Sequence, residues 1–553
     1  MSDSCPMPLE RFYHWEATKP ESVFLRQAKD DGWIEYTWGE VGQRTRKLAS
    51  FLKSKNYPAG SRVAIYAQNC PDWFVVDFAI QMAGLVSVPL YPGQAPASMQ
   101  YVMEHSECQL VFVGHADKPE DITSASGDLP RVGIYGCNVD VETDLEAICN
   151  EYDALQDNPL PDMNSLFTLM YTSGTTGNPK GVMHHYENVS WAVQKMNEDL
   201  GLNEETRFFS YLPLSHTAER VLVLLYSVNA GAVVSFPQNM ETFNANLRSV
   251  RPTFFFSVPR LWKKFKEAVE SKLPADVMDA MLADPEQAEG LKQQIQIQLG
   301  LDACEVMITG SAPTPQDVQD WFKKLGMPMR NGYGMTENCI HGCVCMDGTE
   351  TVGSVGRPFN GCEVKIGENN EILFKSPAMM KGYYLAPEKT AEVLRDGYYH
   401  TGDTGHIDEQ GCLHVTGRLS EAFKTTKGKF VKPSIIEDVM ADISCLGQMC
   451  VIGHGMEAPV LLAGLNEVGV TMDREAINAL ITKELPELNK RLAAHERVEQ
   501  VFIVSDEWTI DNELLTPTMK MKRNAIVDRY QAWVESASAS DLIVWEAKET
   551  ATA

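Results

Sequence analysis

The sequence lacks a long, uninterrupted apolar run. Hydrophobic residues make up 44% of the 553, but the most apolar stretches, 74–90 and 221–236, are broken by polar residues such as Asp77 and Asn229. A helix that crosses a bilayer needs about 20 predominantly apolar residues. The first six residues also lack the basic and apolar regions of a secretory signal. We therefore expect neither a transmembrane segment nor a signal peptide.

Positive charge is also scarce. The 48 Lys and Arg residues stand against 75 Asp and Glu, which gives a formal net charge of −27. This balance argues against nucleic acid as a partner and against broad binding to anionic membranes, because both depend on basic surfaces. The thirteen cysteines lack the spacing of a disulfide framework, which suits a reducing compartment. We predict a cytoplasmic protein and leave peripheral membrane contact and a monomeric or homodimeric state open.

The length of the chain predicts two or more domains, because 553 residues exceed what one core normally holds. Segments with strand and helix patterns alternate through residues 1–165, including a strand at 61–67, a helix at 71–82 and a strand at 86–90. This alternation predicts a parallel sheet covered by helices. Short strands with many glycines between residues 353 and 417 predict a small β-rich subdomain.

The most informative stretch is 169–181, which reads Leu-Met-Tyr-Thr-Ser-Gly-Thr-Thr-Gly-Asn-Pro-Lys-Gly. It follows an apolar run that predicts a buried strand. Glycines let the backbone approach a ligand, and successive N–H groups can form an anion-binding concavity. Hydroxyl groups and Lys180 add donors and a positive charge suited to phosphate. The stretch is not a Walker A sequence, because Gly177 is followed by Asn-Pro. An ordinary polar loop is the alternative interpretation.

This loop resembles the signature loop of the adenylate-forming enzymes, which include acyl-CoA synthetases, luciferases and peptide-synthetase adenylation domains. The resemblance extends from about Tyr36 to about Tyr530, and the motifs at 423–433 and 515–523 are most similar to those of long-chain fatty acyl-CoA synthetases.

The resemblance implies an α/β fold with two domains of unequal size. We expect a large N-terminal domain at 1–417, made of helix-covered sheets, and a small mobile α+β C-terminal lid domain at 418–553. Within the first domain, the α/β halves are expected at 1–165 and 166–345 and the β-rich subdomain at 346–417. A hinge is expected at Arg418–Glu421, although Ser420 stands where most members have Asp or Lys.

The resemblance also implies a nucleotide site. Tyr333 would stack on adenine, Asp403 would accept bonds from the ribose hydroxyls, and Thr336 would contact the α-phosphate. Glu337, together with Thr176, would hold Mg²⁺; these roles suit an aromatic face and carboxylate oxygens. The residues that the resemblance assigns to ATP or AMP are Thr172, Ser173, Gly174, Thr175, Thr176, Gly177, Gly310, Ser311, Ala312, Tyr333, Gly334, Asp403 and Arg418.

A C-terminal lysine completes the implied catalytic group. Lys520 aligns with the family's catalytic lysine, which bridges the carboxylate and the α-phosphate, and Lys522 is the competing candidate. We expect Lys520 to act with Lys180, Thr336 and Glu337. The Ser-, Ala- and Glu-rich tail after about residue 533 is expected to be peripheral.

Two further motifs concern the acyl and CoA groups. His216, in Leu-Pro-Leu-Ser-His, matches a residue that lines the carboxylate pocket in the family, although a lone histidine at a strand end is more often structural. The basic segment at 423–433 contains Gly428, which would let pantetheine pass, and Lys427 and Lys429, which are candidates for contacting CoA. A solvated basic hairpin is the alternative.

Other charged and metal-binding residue types have simpler interpretations. Glu219 and Arg220 match a pair in long-chain synthetases, but adjacent opposite charges are also typical of a surface. Cys339, His341, Cys343 and Cys345 are spaced by two, which would place them on one face of a strand. Zinc sites usually combine pairs from separate segments, so small buried side chains are the favoured interpretation.

The predicted function is activation of a medium- or long-chain fatty acid by ATP to acyl-AMP, followed by transfer to CoA. ATP, Mg²⁺ and CoA are the expected cofactor and co-substrates. Two alternatives stay open: a fatty-acyl-AMP ligase that loads a carrier protein, and a non-catalytic homologue that binds acyl-adenylate.

Overall fold

The computed structural model describes residues 5–30, 32–172, 178–346, 348, 351–516, 520–538 and 541–547. Across these ranges the strands form six sheets. Within the same ranges, no helix combines the length and apolarity needed to span a bilayer.

The largest sheet has eight strands and a parallel centre. Arg62–Tyr66 lies between Val86–Leu90 and Cys108–Val113, and all three run parallel. Every residue of Val86–Leu90 is buried, as expected for a strand covered by helices on both faces. The predicted parallel sheet is therefore confirmed. Its strands, in spatial order, are Gly382–Tyr383, Lys180–His185, Leu166–Thr172, Val86–Leu90, Arg62–Tyr66, Cys108–Val113, Arg131–Gly133 and Thr143–Asp144.

The helices around this sheet begin where the sequence supplies caps. Thr37 Oγ1 accepts a hydrogen bond from Glu40 N (3.2 Å), and Glu40 in turn accepts one from Thr37 N (2.7 Å), which forms a capping box. The predicted helix at 71–82 is confirmed as Pro71–Met82, which starts at a proline and is buried along its whole length. The helices up to residue 200 are Pro8–Thr18, Trp38–Ser54, Pro71–Met82, Pro96–His105, Pro119–Ser126, Leu145–Glu151 and Tyr186–Leu200.

Three smaller sheets complete the chain before residue 419. Phe254–Ser257, Val306–Thr309 and Arg330–Tyr333 run parallel, and Cys343–Val344 and Arg357–Pro358 continue their sheet in antiparallel pairing. A second sheet consists of Arg207–Phe209, Val233–Phe236, Val23–Lys29 and Gly32–Thr37. A third consists of Glu363–Ile366, Glu371–Lys375, Leu394–Arg395, Tyr398–Ile407 and Leu413–Arg418.

Helices and single turns connect these sheets. A short helix, a π-helical turn and a further helix follow one another at Thr217–Glu219, Arg220–Leu225 and Tyr226–Ala230. The other helices are Phe243–Val250, Pro259–Glu270, Ala275–Ala283, Pro285–Leu299, Gln316–Lys324 and Pro387–Val393, and the 3₁₀ turns are Thr336–Asn338, Glu368–Asn370 and Leu419–Glu421.

The chain after residue 421 has its own sheets and core. Phe423–Lys424 and Phe430–Val431 form a hairpin. Leu446–Ile452, Val460–Leu465, Gln500–Ile503 and Ile543–Trp545 form a four-stranded sheet, and its helices are Pro433–Met440, Glu467–Thr471, Arg474–Asn489 and Arg523–Ser536. We refer to residues 422–553 as the C-terminal segment; the domain division at residue 418 stays a prediction.

The tail is not wholly peripheral, contrary to our prediction. Ile543–Trp545 pairs in parallel with Gln500–Ile503 and becomes the edge of the C-terminal sheet. The indole N–H of Trp545 donates to Asn478 Oδ1 at 2.9 Å, which anchors the strand.

The four alternating Cys and His residues do not share a strand face, so that expectation was wrong. Only Cys343 belongs to a strand, and Cys339 and Ile340 adopt left-handed backbone angles with φ of 53° and 56°. Cys339, His341 and Cys343 are nevertheless buried, as expected. Among the described residues, no group of His, Cys, Asp or Glu is arranged to hold a metal ion.

Candidate active site

Two turns at the ends of neighbouring parallel strands form one wall of the site. Gly310 follows Val306–Thr309, and Gly334 follows Arg330–Tyr333. A Cβ at Gly310 would lie 2.9 Å from Gly332 O, and one at Gly334 would lie 2.5 Å from Ile340 O, so both turns require glycine. Between them, the strained left-handed backbone of Ser311 (φ 67°) is typical of a functional turn.

Asp403 joins this wall to the sheet that contains Tyr398–Ile407. The Tyr333 hydroxyl donates to one carboxylate oxygen (2.5 Å), and Arg418 Nε lies 2.9 Å from the other. Burial and the neighbouring carboxylate raise the pKa of Tyr333 well above its usual value, so the phenol remains a donor. A carboxylate has about four lone-pair sites, and Asp403 therefore retains acceptor capacity.

Tyr383 links two residues that the sequence assigns to catalysis. The Lys180 ammonium lies 5.0 Å from the centre of the Tyr383 ring, and the Tyr383 hydroxyl donates to Glu337 Oε1 at 2.9 Å. The sequence does not predict this role, although Tyr383 lies in a Gly-Tyr-Tyr stretch at 382–384. Only the pairing of Gly382–Tyr383 with Lys180–His185 in the large sheet brings Tyr383 to the site.

The signature loop itself can be placed only at its ends. Thr172 ends the strand Leu166–Thr172, and Lys180 begins the antiparallel strand that returns beside it. The predicted phosphate contacts at 173–177, which include the Mg²⁺ candidate Thr176, lie outside the described residues. The roles assigned to that loop stay predictions.

Lys520 faces the site from the C-terminal segment. Its backbone N–H donates to Thr516 Oγ1 at 3.0 Å. Although the residue keeps an exposed surface, desolvation of the ammonium and the charge of Arg418 lower the pKa of Lys520, while Asp403 and Glu337 act in the opposite direction.

His216 precedes the short helix Thr217–Glu219. Its Nδ1 accepts from Ala218 N at 3.1 Å, which starts the short helix, and its ring contacts Tyr91 with the centroids 6.4 Å apart. Burial and the positive charge of Lys520 lower the pKa of His216 to about 4, so the ring is neutral at physiological pH. The structure brings His216 to Lys520; its role in an acyl pocket stays a prediction.

Glu219 and Arg220 are fully buried, so the surface alternative is wrong. Arg220 donates to Asp77 (2.5 Å), to Ser87 Oγ (2.8 Å) and to Thr168 Oγ1 (2.7 Å) in the strand that leads to the signature loop. Because its charge is paired and both of its terminal nitrogens donate, Arg220 fixes the position of this strand, although its Nε has no hydrogen-bond partner among the described residues.

Glu219 occupies a separate polar pocket. It accepts from Ser210 Oγ (2.8 Å) and Tyr211 N (3.0 Å), and burial raises the pKa of its carboxyl to about 8.

The predicted CoA residues lie in the exposed hairpin of the C-terminal segment. Gly428 has a φ of 74°, as its turn requires, and Lys427 Nζ lies 3.6 Å from Glu457. Lys429 is exposed, and Phe430 keeps 68% of its surface accessible. The hairpin bonds to its own segment, where Thr426 N donates to Met456 O at 2.9 Å.

The chain is similar to known proteins over most of its length. Residues 12–384 match the AMP-binding enzyme family, and residues 422–541 match the AMP-binding enzyme C-terminal domain. The chain belongs to the AMP-binding enzyme family. The predicted family, the α/β fold and the classification as an AMP-binding ligase are thereby confirmed.

Curated relatives and solved structures cover nearly the whole of this AMP-binding enzyme. Fatty acyl-CoA synthetase A of Dictyostelium discoideum is 27% identical over 92% of this chain and 86% of its own. Long chain acyl-CoA synthetase 6, peroxisomal, of Arabidopsis thaliana is 29% identical over 88% of this chain and 79% of its own. The structure of o-succinylbenzoate coenzyme A synthetase from Bacillus subtilis with ATP and magnesium ion has a TM-score of 0.72 and 21% identity, covering 93% of this chain and 98% of that one.

Proposed function

We propose that this enzyme activates a medium- or long-chain fatty acid with ATP and transfers the acyl group to CoA. A carboxylate oxygen attacks the α-phosphorus, which gives acyl-adenylate and pyrophosphate. The CoA thiolate then attacks the acyl carbon and AMP leaves. The observation that carries the proposal is a set of contacts that join the candidate residues. Tyr333 and Arg418 both contact Asp403, and Tyr383 links Lys180 with Glu337.

The side chains supply charge and position rather than a covalent nucleophile. Lys520 would neutralise the carboxylate and the α-phosphate as they approach, and Lys180 would stabilise the triphosphate. Asp403 would accept the ribose hydroxyls while Arg418 holds its orientation. Tyr333 would offer its ring to adenine.

Glu337 fits a magnesium ligand because a carboxylate oxygen is the donor type that Mg²⁺ prefers. The Tyr383 hydroxyl orients one of its oxygens, as expected for a supported ligand. When bound, Mg²⁺ supplies positive charge to the phosphates of ATP.

The relatives named above and the basic hairpin support the proposal of a fatty-acid substrate and of CoA as the acceptor. Gly428, Lys427 and Lys429 would reach the site only after the C-terminal segment rotates about the hinge at 418–421. Such a rotation lets one site serve two chemical steps.

A two-stage assay tests the proposal. Pyrophosphate release would be measured with ATP and saturated acids from C2 to C18, and AMP release would then be measured with CoA or with an acyl-carrier protein. We expect acid-dependent pyrophosphate release that is greatest for medium or long chains, and AMP release with CoA. Release of AMP only with the carrier protein would establish a carrier-loading ligase instead. No acid-dependent pyrophosphate release would overturn the proposal.

A further inference from the structure

The turn that contains Thr336 is supported by a buried histidine that sequence reasoning did not assign. His184 lies in the strand that returns from the signature loop and is almost fully buried. Its Nε2 lies 2.8 Å from the carbonyl oxygen of Thr336, and its Nδ1 lies 2.9 Å from Asn188 Nδ2. The imidazole ring of His184 therefore bonds to the backbone of Thr336, which lies 152 residues later in the chain.

Neighbouring groups fix the direction of each hydrogen bond. His185 N donates to Asn188 Oδ1 at 2.7 Å, which turns the amide nitrogen of Asn188 toward His184. Because that nitrogen only donates, His184 Nδ1 must accept, and the ring proton stays on Nε2. Burial lowers the pKa of His184 to about 4, which keeps the ring neutral. Nε2–H consequently donates to the Thr336 carbonyl.

Thr217 supports the same residue from the other side. Its buried hydroxyl has one proton, which it donates to Thr336 Oγ1 at 3.0 Å in preference to the weaker acceptor Met170 Sδ at 3.4 Å. The proton of the Thr336 hydroxyl then remains available for another acceptor. Glu337 is held in the same turn, because Met380 N donates to its carbonyl at 2.7 Å.

We infer that His184 and Thr217 are positioning residues that clamp Thr336, His184 through the backbone and Thr217 through the hydroxyl. The clamp fixes the position of the Thr336 hydroxyl and, through the turn, the Glu337 carboxylate. The inference rests on the proposed function and on the family resemblance, which implies that Thr336 contacts the α-phosphate. Small displacements of such groups reduce rates strongly, because reacting atoms must be held in a near-attack geometry.

The main test replaces His184 by leucine, which removes the donor and leaves an apolar side chain. In His184→Leu we expect kcat for acid-dependent pyrophosphate release to fall about 10- to 100-fold. The KM for the fatty acid should change little. Thioester formation from supplied acyl-adenylate should change much less, because the α-phosphate bond has already been made. His184→Gln offers an amide donor and should recover most of kcat.

A matched control separates positioning from general stability. His185 is adjacent and half-buried, and its contribution to the network around His184 comes from its backbone N–H, which a side-chain substitution keeps. His185→Leu should keep kcat within about twofold of the wild type. Thermal unfolding of every variant would be recorded, and a variant counts only if it is folded at the assay temperature.

Thr217→Val tests the hydroxyl contact of the clamp if His184→Leu does not fold. It removes the hydroxyl at nearly constant shape and should also lower kcat for adenylation with little change in KM. Wild-type kcat in a folded His184→Leu or Thr217→Val would overturn the inference, as would equal losses in the two half-reactions. Absence of acid-dependent activity in the wild type would instead overturn the proposed function.

Discussion

The ion pair beneath the signature strand and the pairs that attach the C-terminal segment differ sharply in exposure. Arg220 and Asp77 keep 1% and 0% of their side-chain surface accessible. Lys118 and Asp511, which pair at 3.1 Å, keep 55% and 77%, and Arg260 and Glu507 form a similarly exposed contact at 3.8 Å. Buried pairs are costly to break, whereas exposed pairs contribute little and are screened by salt. The signature strand is therefore held by a pair that is costly to break, whereas these two pairs between the C-terminal segment and the rest of the chain contribute little to stability.

The largest expected effect comes from breaking the buried pair. In Arg220→Met the Asp77 carboxylate loses its partner, and the free energy of unfolding should fall by about 3–5 kcal/mol. Urea denaturation of the full chain measures this loss. Arg220→Met combined with Asp77→Leu removes both charges and should recover much of the stability. If the single and double variants were equally unstable, the pair would have no special role.

Removal of the lysine on the C-terminal segment should affect one half-reaction. In Lys520→Ala we expect pyrophosphate release to fall about 10²- to 10³-fold, the range seen when a preorganised charge stabiliser is lost. Thioester formation from supplied acyl-adenylate should be much less affected. Lys522→Ala is the control, because Lys522 was the competing candidate. Equal loss in both half-reactions would show that the role of Lys520 is wrong.

Loss of the Asp403 charge should weaken the binding of ATP. Asp403→Asn keeps the shape of the side chain but removes the charge that faces Arg418. Hydrogen bonds to charged groups contribute about 1.5–3 kcal/mol, so the KM for ATP should rise at least about 10-fold. Steady-state kinetics at saturating fatty acid measure this KM. An unchanged KM for ATP would remove Asp403 from the nucleotide site.

The smallest effect is expected at the exposed pairs. Asp511→Asn combined with Glu507→Gln should slow adenylation only a few-fold at low salt and not at all at high salt. Asp506→Asn makes the same type of change in the same loop, but Asp506 pairs with Arg529 inside the C-terminal segment. It should leave adenylation unchanged. A loss of the same size in Asp506→Asn would mean that net charge, rather than attachment, is responsible.

The sequence predicts the elements whose signals are local. The strand Leu166–Thr172 follows from a continuous apolar run, and Pro71–Met82 follows from its starting proline and its hydrophobic length. The positions of Tyr333, Asp403 and Lys520 near one another agree with the motifs, although the roles given to them await the experiments above.

Contacts between distant segments could not be predicted. Tyr383 reaches the site from a two-residue edge strand some 200 residues after the signature loop, and no local pattern marks that pairing. Glu219 and Arg220 are adjacent opposite charges, which is the pattern of a surface, and only their partners across the fold explain their burial. His184 likewise acquires its role from a carbonyl group far along the chain.

The strand Ile543–Trp545 makes the end of the chain part of the C-terminal fold. A protein shortened after residue 533 would lose both this strand and the anchoring bond from Trp545 to Asn478. The N–H and C=O groups of Gln500–Ile503 that now pair with it would become an open sheet edge, which favours association between molecules. Self-association of a shortened form would therefore result from the exposed edge of Gln500–Ile503, and it would give no information on the oligomeric state of the intact enzyme.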